Sequence, residues 1–318
     1  MYEIEMAEKN KILDLICGSN LYGTNDKNSD KDYVSIFIPD EEYILGFNNV
    51  EDVDASLKDK DENNKNTKDA VDKKYISIKK FLRLAKDNNP SMFELLFVNK
   101  ENILFINDLG EELLSIKKDF MSKNIINKFL GYAKSQKKKM VIKLGNYNKI
   151  VETIKILKSY TPSWVYMWEF EKSDLVSFKK NQTGAFYVIG SRNIPLNITI
   201  KEAIKRLERS INKFSSRYEN YIVKYGFDTK FAMNLMRLLY EGIELLETGD
   251  LKFPLEHKDF LLDIKNGKYT IEDIIKESEE LEVKIRNLEE TTNLPSNPNF
   301  NIINKFLIKC QKRHINKY

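Results

Sequence analysis

Cysteine is nearly absent from this 318-residue chain, with only Cys17 and Cys310, one near each end. That count excludes a disulfide-built scaffold and a cysteine-type zinc site. Histidine is as scarce: His257 and His314 are the only two. A histidine-driven triad and most histidine metal sites are thereby set aside, leaving carboxylates, hydroxyls, amides and lysines to carry any chemistry. Long apolar runs are missing too. The most apolar uncharged stretches, such as Tyr33–Pro39 and Ser159–Trp168, fall far short of the ~20 residues a membrane-spanning helix needs. The first ten residues hold Glu3, Glu5 and Glu8 and no small-residue cleavage site, unlike a signal peptide. A cytoplasmic protein is expected.

What is present suits a globular fold. Hydrophobic residues make up 42% and aromatics 11%, enough for a core, while 31% charged residues cover a surface. Disordered, collagen-like and coiled-coil readings fail on that composition. The net charge of +4 conceals segregation. Between Lys123 and Tyr160 there are ten lysines against Glu152 alone, whereas Glu51–Glu62 sets six acids against Lys58 and Lys60. A face that basic points to an anionic partner.

Hydrophobic periodicity predicts strands over Lys11–Cys17, Tyr33–Ile38 and Tyr75–Ile78, and a helix over Ile78–Ala85 with apolar residues at i, i+3, i+4 and i+7. Pro90 sets up another helix over Ser91–Val98. The acidic, asparagine-rich stretch 48–69 reads as a loop. Beyond residue 110 the pattern is mainly helical: Glu111–Lys118, Lys123–Lys139, Lys201–Tyr225, Asp228–Glu247 and Ile271–Glu290. An aromatic-rich insertion at 160–197 interrupts it, and its AFYVIG segment reads as a hairpin strand. The aromatics of Tyr160–Phe170 read mainly as core, with base stacking as the alternative; Ile271–Glu290 reads as a packing or dimer helix.

The informative segment is ICGSNLYGTNDKNSDKDYVSIFI, residues 16–38. A strand runs into Gly18–Ser19, and after a polar turn Asp30 and Asp32 lead into the next strand. Carboxylates at i and i+2 of an extended chain share a face. Such a pair repels itself unless a hard cation intervenes, and Mg²⁺ held by one or two carboxylates bridges to phosphates. Gly18 lets the backbone approach a ligand closely and Ser19 can donate to a phosphate oxygen. These are the parts of metal-assisted nucleotidyl transfer.

That pattern, h-G-S followed after about ten residues by D-x-D, resembles the DNA polymerase β nucleotidyltransferase superfamily. More narrowly, the chain resembles the YcgL-like predicted nucleotidyltransferases in four ordered blocks: 18–40, 75–98 (YISIKKFLRLAKDNNPSMFELLFV), 129–139 (FLGYAKSQKKK) and 225–249 (YGFDTKFAMNLMRLLYEGIELLETG). Residues 140–220 match poorly. The fourth block of the family carries histidines where this chain has Phe231 and Asn234, so no role of theirs transfers.

The resemblance implies an α+β fold: a polymerase-β-like α/β catalytic domain over residues 1–110 and a larger helical domain over 111–318 that binds substrate and nucleotide. It implies Mg²⁺, with Mn²⁺ as a substitute, held by Asp30, Asp32 and a third carboxylate. Asp72 is the choice by spacing, with Asp69 and Glu94 as rivals. It implies an NTP held by Gly18 and Ser19, with Lys134, Gln136, Lys230 and Arg237 as further contacts. Lys230 and Arg237, seven apart, share a helix face. The expected reaction moves an NMP to an acceptor hydroxyl of RNA, tRNA in particular, or of a protein. A binding or regulatory protein on a degenerate transferase scaffold is the alternative.

Overall fold

The computed structural model describes residues 2–26, 29–57, 71–160, 162, 164–170, 173–182, 184–213 and 224–315. It divides into two compact units: Met1–Lys134 with Asn234–Asp263 and Ile275–Tyr318, and Ser135–Met233 with Ile264–Ile274.

The first unit is built on a five-stranded sheet of β1 (Lys11–Cys17), β2 (Lys31–Phe37), β3 (Asp52–Asp54), β4 (Val71–Ser77) and β5 (Ile103–Ile106) in the order β3-β4-β2-β1-β5. β1 is antiparallel to β2 and β5, β2 is parallel to β4, and β3 closes the edge antiparallel to β4. β2 and β4 begin earlier than the periodicity predicts, so Asp32 and Asp72 are both strand residues paired across the ladder.

Alternation gives the sheet two distinct faces. On one, Phe37, Val53 and Tyr75 pack with Met6 and Ala7 of α1 (Tyr2–Lys9). Here the structure corrects the loop expected over 48–69. Val53, between two exposed aspartates, is buried, and this one apolar contact with the β4 ladder turns Asp52–Asp54 into a strand. Residues 58–70 lie outside the described residues.

The same face carries an ionic row. Asp14, Ser35 and Tyr75 are register partners across β1, β2 and β4. Ser35 Oγ donates to buried Asp14 at 2.7 Å, and Lys11 and Lys73 each stand 3.4 Å from it. Glu8 of α1 joins through Lys11, Lys73 and Tyr75. Partial burial raises the Glu8 carboxyl, but hydrogen bonds from Lys11 and Tyr75 and the charge of Lys73 overcome it and hold it at about 2.

After the single turns α2 (Ser19–Tyr22) and α3 (Glu41–Ile44), α4 (Ile78–Lys86) follows β4 directly. Ser77 caps it, accepting from the Lys80 amide, and the four predicted apolar positions are all buried. Asn88 ends it in the left-handed region at φ 52. Its side-chain amide donates to the Phe120 carbonyl at 2.8 Å and accepts from Ser122 Oγ at 2.6 Å. The N-N-P motif is therefore a structural joint, followed by α5 (Pro90–Phe93) and a 3₁₀ turn at Glu94–Phe97 rather than one helix. Asn88→Ala removes both buried hydrogen bonds and a residue suited to positive φ. We expect a loss of about 2–4 kcal/mol, read as a lower urea midpoint at unchanged slope.

The rest is helical, as the composition beyond residue 110 implies: α6 (Asp108–Ser115), α7 (Asn124–Ser159), α8 (Ile200–Lys213), α9 (Thr229–Thr248), α10 (Lys258–Lys265), α11 (Ile271–Thr291) and α12 (Phe300–Ile315). The unit boundary falls inside α7 and again inside α9. On α11, Ile274, Ser278, Leu281 and Ile285 form a buried stripe, so this helix packs inward. The second unit contains a three-stranded antiparallel sheet, β6 (Val176–Asn181), β7 (Gly184–Ile189) and β8 (Arg192–Pro195), where the sequence shows one strand. Its inner face packs Tyr187, Ile189 and Ile194 against Ile150, Ile154, Leu157 and Leu207. Among the described residues no helix is long and apolar enough to cross a membrane.

Candidate active site

β1 ends, and β2 and β4 begin, at the same edge of the sheet. There the register places Cys17 opposite Asp32 and Asp32 opposite Asp72. The three share the face opposite the Asp14 row, since each lies three residues from a member of it. Asp30, exposed, precedes β2 by one residue, and Asn20 Nδ2 donates to its carbonyl at 3.3 Å. Asp72 accepts from Ser56 Oγ at 2.9 Å.

Gly18 follows Cys17 and has two reasons to be glycine. Its φ of 64° with ψ −141° disfavours any side chain. A Cβ there would also stand 2.2 Å from Asp32 Oδ2. The backbone thus touches the carboxylate that the D-x-D motif supplies. The half-buried Ser19 then opens the single helical turn α2 (Ser19–Tyr22).

Cys17 adds no chemistry of its own. Burial pushes its thiol well up, and the charges of Asp32, Glu94 and Asp72 push further, so it stays a neutral thiol. Asp32, Glu94 and Asp72 are thus the carboxylates whose charge reaches the strand end.

Glu94, the rival third carboxylate, is buried and committed elsewhere. It accepts from Tyr22 Oη at 2.6 Å and from Arg237 Nη1 at 2.8 Å. Arg237 also donates to Glu241, one turn along α9, at 2.8 and 3.0 Å, and its guanidinium lies 4.2 Å from the Tyr22 ring centroid. Arg237 is 7% exposed. The guanidinium that the sequence offers to a triphosphate is here held among carboxylates inside the first unit.

Two carboxylates around one guanidinium leave an excess of negative charge. Burial raises the Glu241 carboxyl to about 8, against the lowering pull of Arg237 and with a further rise from Glu94. The folded state thus holds a proton that an unfolded glutamate, at its ordinary 4.5, has released. Stability from this site is greatest near the ordinary value and falls as pH rises toward 8. Glu8 has the opposite sign: its contribution is present above 4.5 and is lost as pH falls toward 2. Glu241→Gln, neutral at every pH, should flatten the decline of the melting temperature between pH 5 and 8 and leave the acid limb in place.

The other expected contacts are divided between the two units. Lys134 is exposed on α7 in the first unit; Gln136, half-buried on the same helix, and Lys230 of α9 belong to the second. Phe231 lies in the second unit 5.9 Å beneath Lys139 Nζ, and Asn234 is half-buried in the first. Asp69 lies outside the described residues. Ser56, Tyr22 and Glu241 join the site's surroundings without being singled out by the motifs. Only Glu241 left a local signal, at i+4 from Arg237. The two histidines are structural: His257 stacks on Tyr240 at 4.0 Å and His314 meets Asp40 at 3.2 Å.

The donor set at the sheet edge is oxygen only, which fits a hard divalent cation. Among the described residues no three acidic, histidine or cysteine side chains converge as a complete cage. Mg²⁺ does not require one, since it keeps waters and takes the rest of its ligands from phosphates.

Comparison with known proteins agrees with the fold and the motif. The chain is 27% identical over 280 residues to an uncharacterized 38.9 kDa protein in the nrdC-mobD intergenic region of Enterobacteria phage T4, covering 79% of this chain and 81% of that one. A nucleotidyltransferase-like protein from Exiguobacterium sibiricum overlaps 98% of this chain and 78% of its own, at 9% identity and a TM-score of 0.26, too loose to bear on the site. The model of the RNA repair pathway DNA polymerase beta family (RlaP) matches residues 1–185. With more than half of its length matched, and a Gly-Ser turn and D-x-D on a mixed sheet, the chain belongs to the RNA repair pathway DNA polymerase beta family, a nucleotidyltransferase-type family with an α/β core and a larger helical C-terminal part.

Proposed function

We propose that this protein transfers a nucleoside monophosphate from an NTP to a hydroxyl of RNA, releasing pyrophosphate. The observation that carries this reading is the row Cys17–Asp32–Asp72 beside Gly18, which sets two carboxylates on one sheet face against a backbone with no Cβ.

Asp30, Asp32 and Asp72 would hold Mg²⁺ or Mn²⁺, which when bound would offset the negative charge of the phosphates. Ser19 Oγ donates to a phosphate oxygen, and Gly18, whose missing Cβ makes room for the Asp32 carboxylate, brings that carboxylate beside the phosphate. Asp72, oriented by Ser56, takes the proton of the acceptor hydroxyl as its oxygen attacks the α-phosphorus. The bond from the α-phosphorus to the bridging oxygen breaks, and pyrophosphate leaves. We assign catalysis to residues 1–110 and substrate and nucleotide contacts, Lys134, Gln136 and Lys230 among them, to 111–318. Placement within the YcgL-like branch and a cytoplasmic location are part of the same reading.

Two facts favour RNA over a protein hydroxyl. The ten lysines between Lys123 and Tyr160 suit a polyanion, and the family's name refers to RNA repair. The test is incubation with Mg²⁺ and each α-labelled NTP, with RNA or protein as acceptor. Label in RNA that vanishes in Asp30→Ala/Asp32→Ala supports the reading. RNA binding unchanged by that double substitution, with no label transferred to anything, would support a non-catalytic binding protein instead.

A further inference from the structure

The aromatic insertion divides in the structure. Met167, Phe170 and Tyr187 are core, as expected for such a cluster, but Trp164, Tyr166 and Trp168 are not. Trp168 is 53% exposed, and its ring stacks on Tyr166 at 4.2 Å with 8° between the planes. An exposed, stacked aromatic pair is a platform on which a further planar ring can stack.

Trp168 forms the wall of a cleft of about 520 Å³ on the three-stranded sheet of the second unit. The register explains its lining. Tyr187 and Ile189 face the core, so Phe186 of the same strand faces out, opposite Lys179 of β6 and Pro195 of β8. Asn181 and Asn193 lie on that outward face by alternation, and with Phe186, Pro195 and Asn197 they line the cleft. Its floor and wall are aromatic, its rim is three side-chain amides, and among the described residues no charged side chain lines it.

We propose that this cleft is a nucleobase-binding site for single-stranded RNA, the acceptor of the reaction proposed above, on which this inference rests. A planar heteroaromatic ring stacks on Trp168 or Phe186, and amides, which both donate and accept, suit its edge. Charge separates a strand from a free nucleotide. A triphosphate brings about four negative charges and needs several cations or a metal, whereas a strand brings one per base. Lys179 is the ladder partner of Phe186, and among the described residues no carboxylate lines the cleft to hold a metal.

The chain's only two tryptophans are Trp164 and Trp168, so Trp164→Phe makes the full-length protein a single-tryptophan reporter. A short oligoribonucleotide should quench its emission, and NTP with Mg²⁺ alone should not. Trp168→Ala should weaken binding of labelled RNA about tenfold or more, and Trp168→Phe, which can still stack, much less. Asn193→Ala should weaken it without changing the melting temperature. Asp32→Asn should leave this affinity unchanged. RNA that leaves the Trp168 emission unmoved, affinity equal in Trp168→Ala and wild type, or quenching by NTP alone would overturn the proposal. The two readings fail separately. Binding at Trp168 without transfer sinks the enzyme and keeps the cleft; transfer to RNA unaffected by Trp168→Ala does the reverse.

Discussion

Asp32→Asn is expected to lower nucleotide transfer by about a thousandfold or more while the protein stays folded. The substitution keeps the size and shape of the side chain and removes one negative charge from the sheet edge. Asp32 sits between Cys17 and Asp72 in the ladder, with a carboxylate oxygen where a Cβ of residue 18 would be. An amide there can still hydrogen-bond, but it is a poor ligand for a hard cation. Losing electrostatic stabilisation at the reacting phosphate has effects of about a hundred- to a thousandfold per donor, and a metal-holding carboxylate stands at the upper end. Stability should not suffer, because removing charge beside Asp72 relieves repulsion. The measurement is transfer per mole of folded protein, with the melting temperature recorded alongside. A variant that melts as the wild type yet transfers at the wild-type rate would show that Asp32 holds nothing the reaction needs.

Arg237→Met is expected to destabilise the protein by about 3–5 kcal/mol, the range for removing one partner of a buried ionic group. The guanidinium is shared by Glu94 and Glu241 and covers the Tyr22 ring. Methionine keeps much of the bulk but leaves two buried carboxylates with no cation. Without the guanidinium the Glu241 carboxyl, already raised by burial, loses the charge that pulls it down, so the variant should be most impaired at high pH and recover partly as pH falls toward 5. Adding Glu94→Gln and Glu241→Gln to Arg237→Met should restore much of the loss, since a neutral network lacks the uncompensated charge. Denaturation midpoints at pH 5 and pH 8 report all of this. A further variant, Arg237→Lys, tests the phosphate-binding role expected from the family resemblance. If Arg237 meets the triphosphate, Arg237→Lys raises KM for the NTP more than it lowers stability. Held as it is between two carboxylates, it should lower stability and leave KM nearly unmoved.

The parts of the site readable in the sequence are those written in consecutive residues. Gly18–Ser19 and Asp30-x-Asp32 each announce themselves because close backbone approach and paired carboxylates on an extended chain need only local spacing. The α4 stripe and its end at Asn88–Pro90 were legible for the same reason. Asp72 was placed by its position at the start of the KKYISI strand and by family spacing; its adjacency to Asp32 is a property of parallel pairing between strands forty residues apart. Arg237 was legible as a cation on a helix, but not its use, because Glu94 is 143 residues away. The β3 strand was masked by composition: three residues with a single buried valine carry too little pattern against an acidic, asparagine-rich background. β5, four residues whose central Leu104 and Phe105 are exposed, gives no alternation to read. The aromatic insertion misleads in the opposite way, since stacked and core aromatics have the same sequence signature and only the sheet register separates them.

The most direct test is the intact mass of a synthetic oligoribonucleotide after incubation with the full-length protein, Mg²⁺ and each NTP in turn. The account predicts a gain of one or more nucleoside monophosphate masses with at least one NTP, matched by released pyrophosphate and absent with Asp32→Asn. An unchanged mass with all four NTPs under Mg²⁺ and under Mn²⁺, or the same gain with Asp32→Asn, would contradict it.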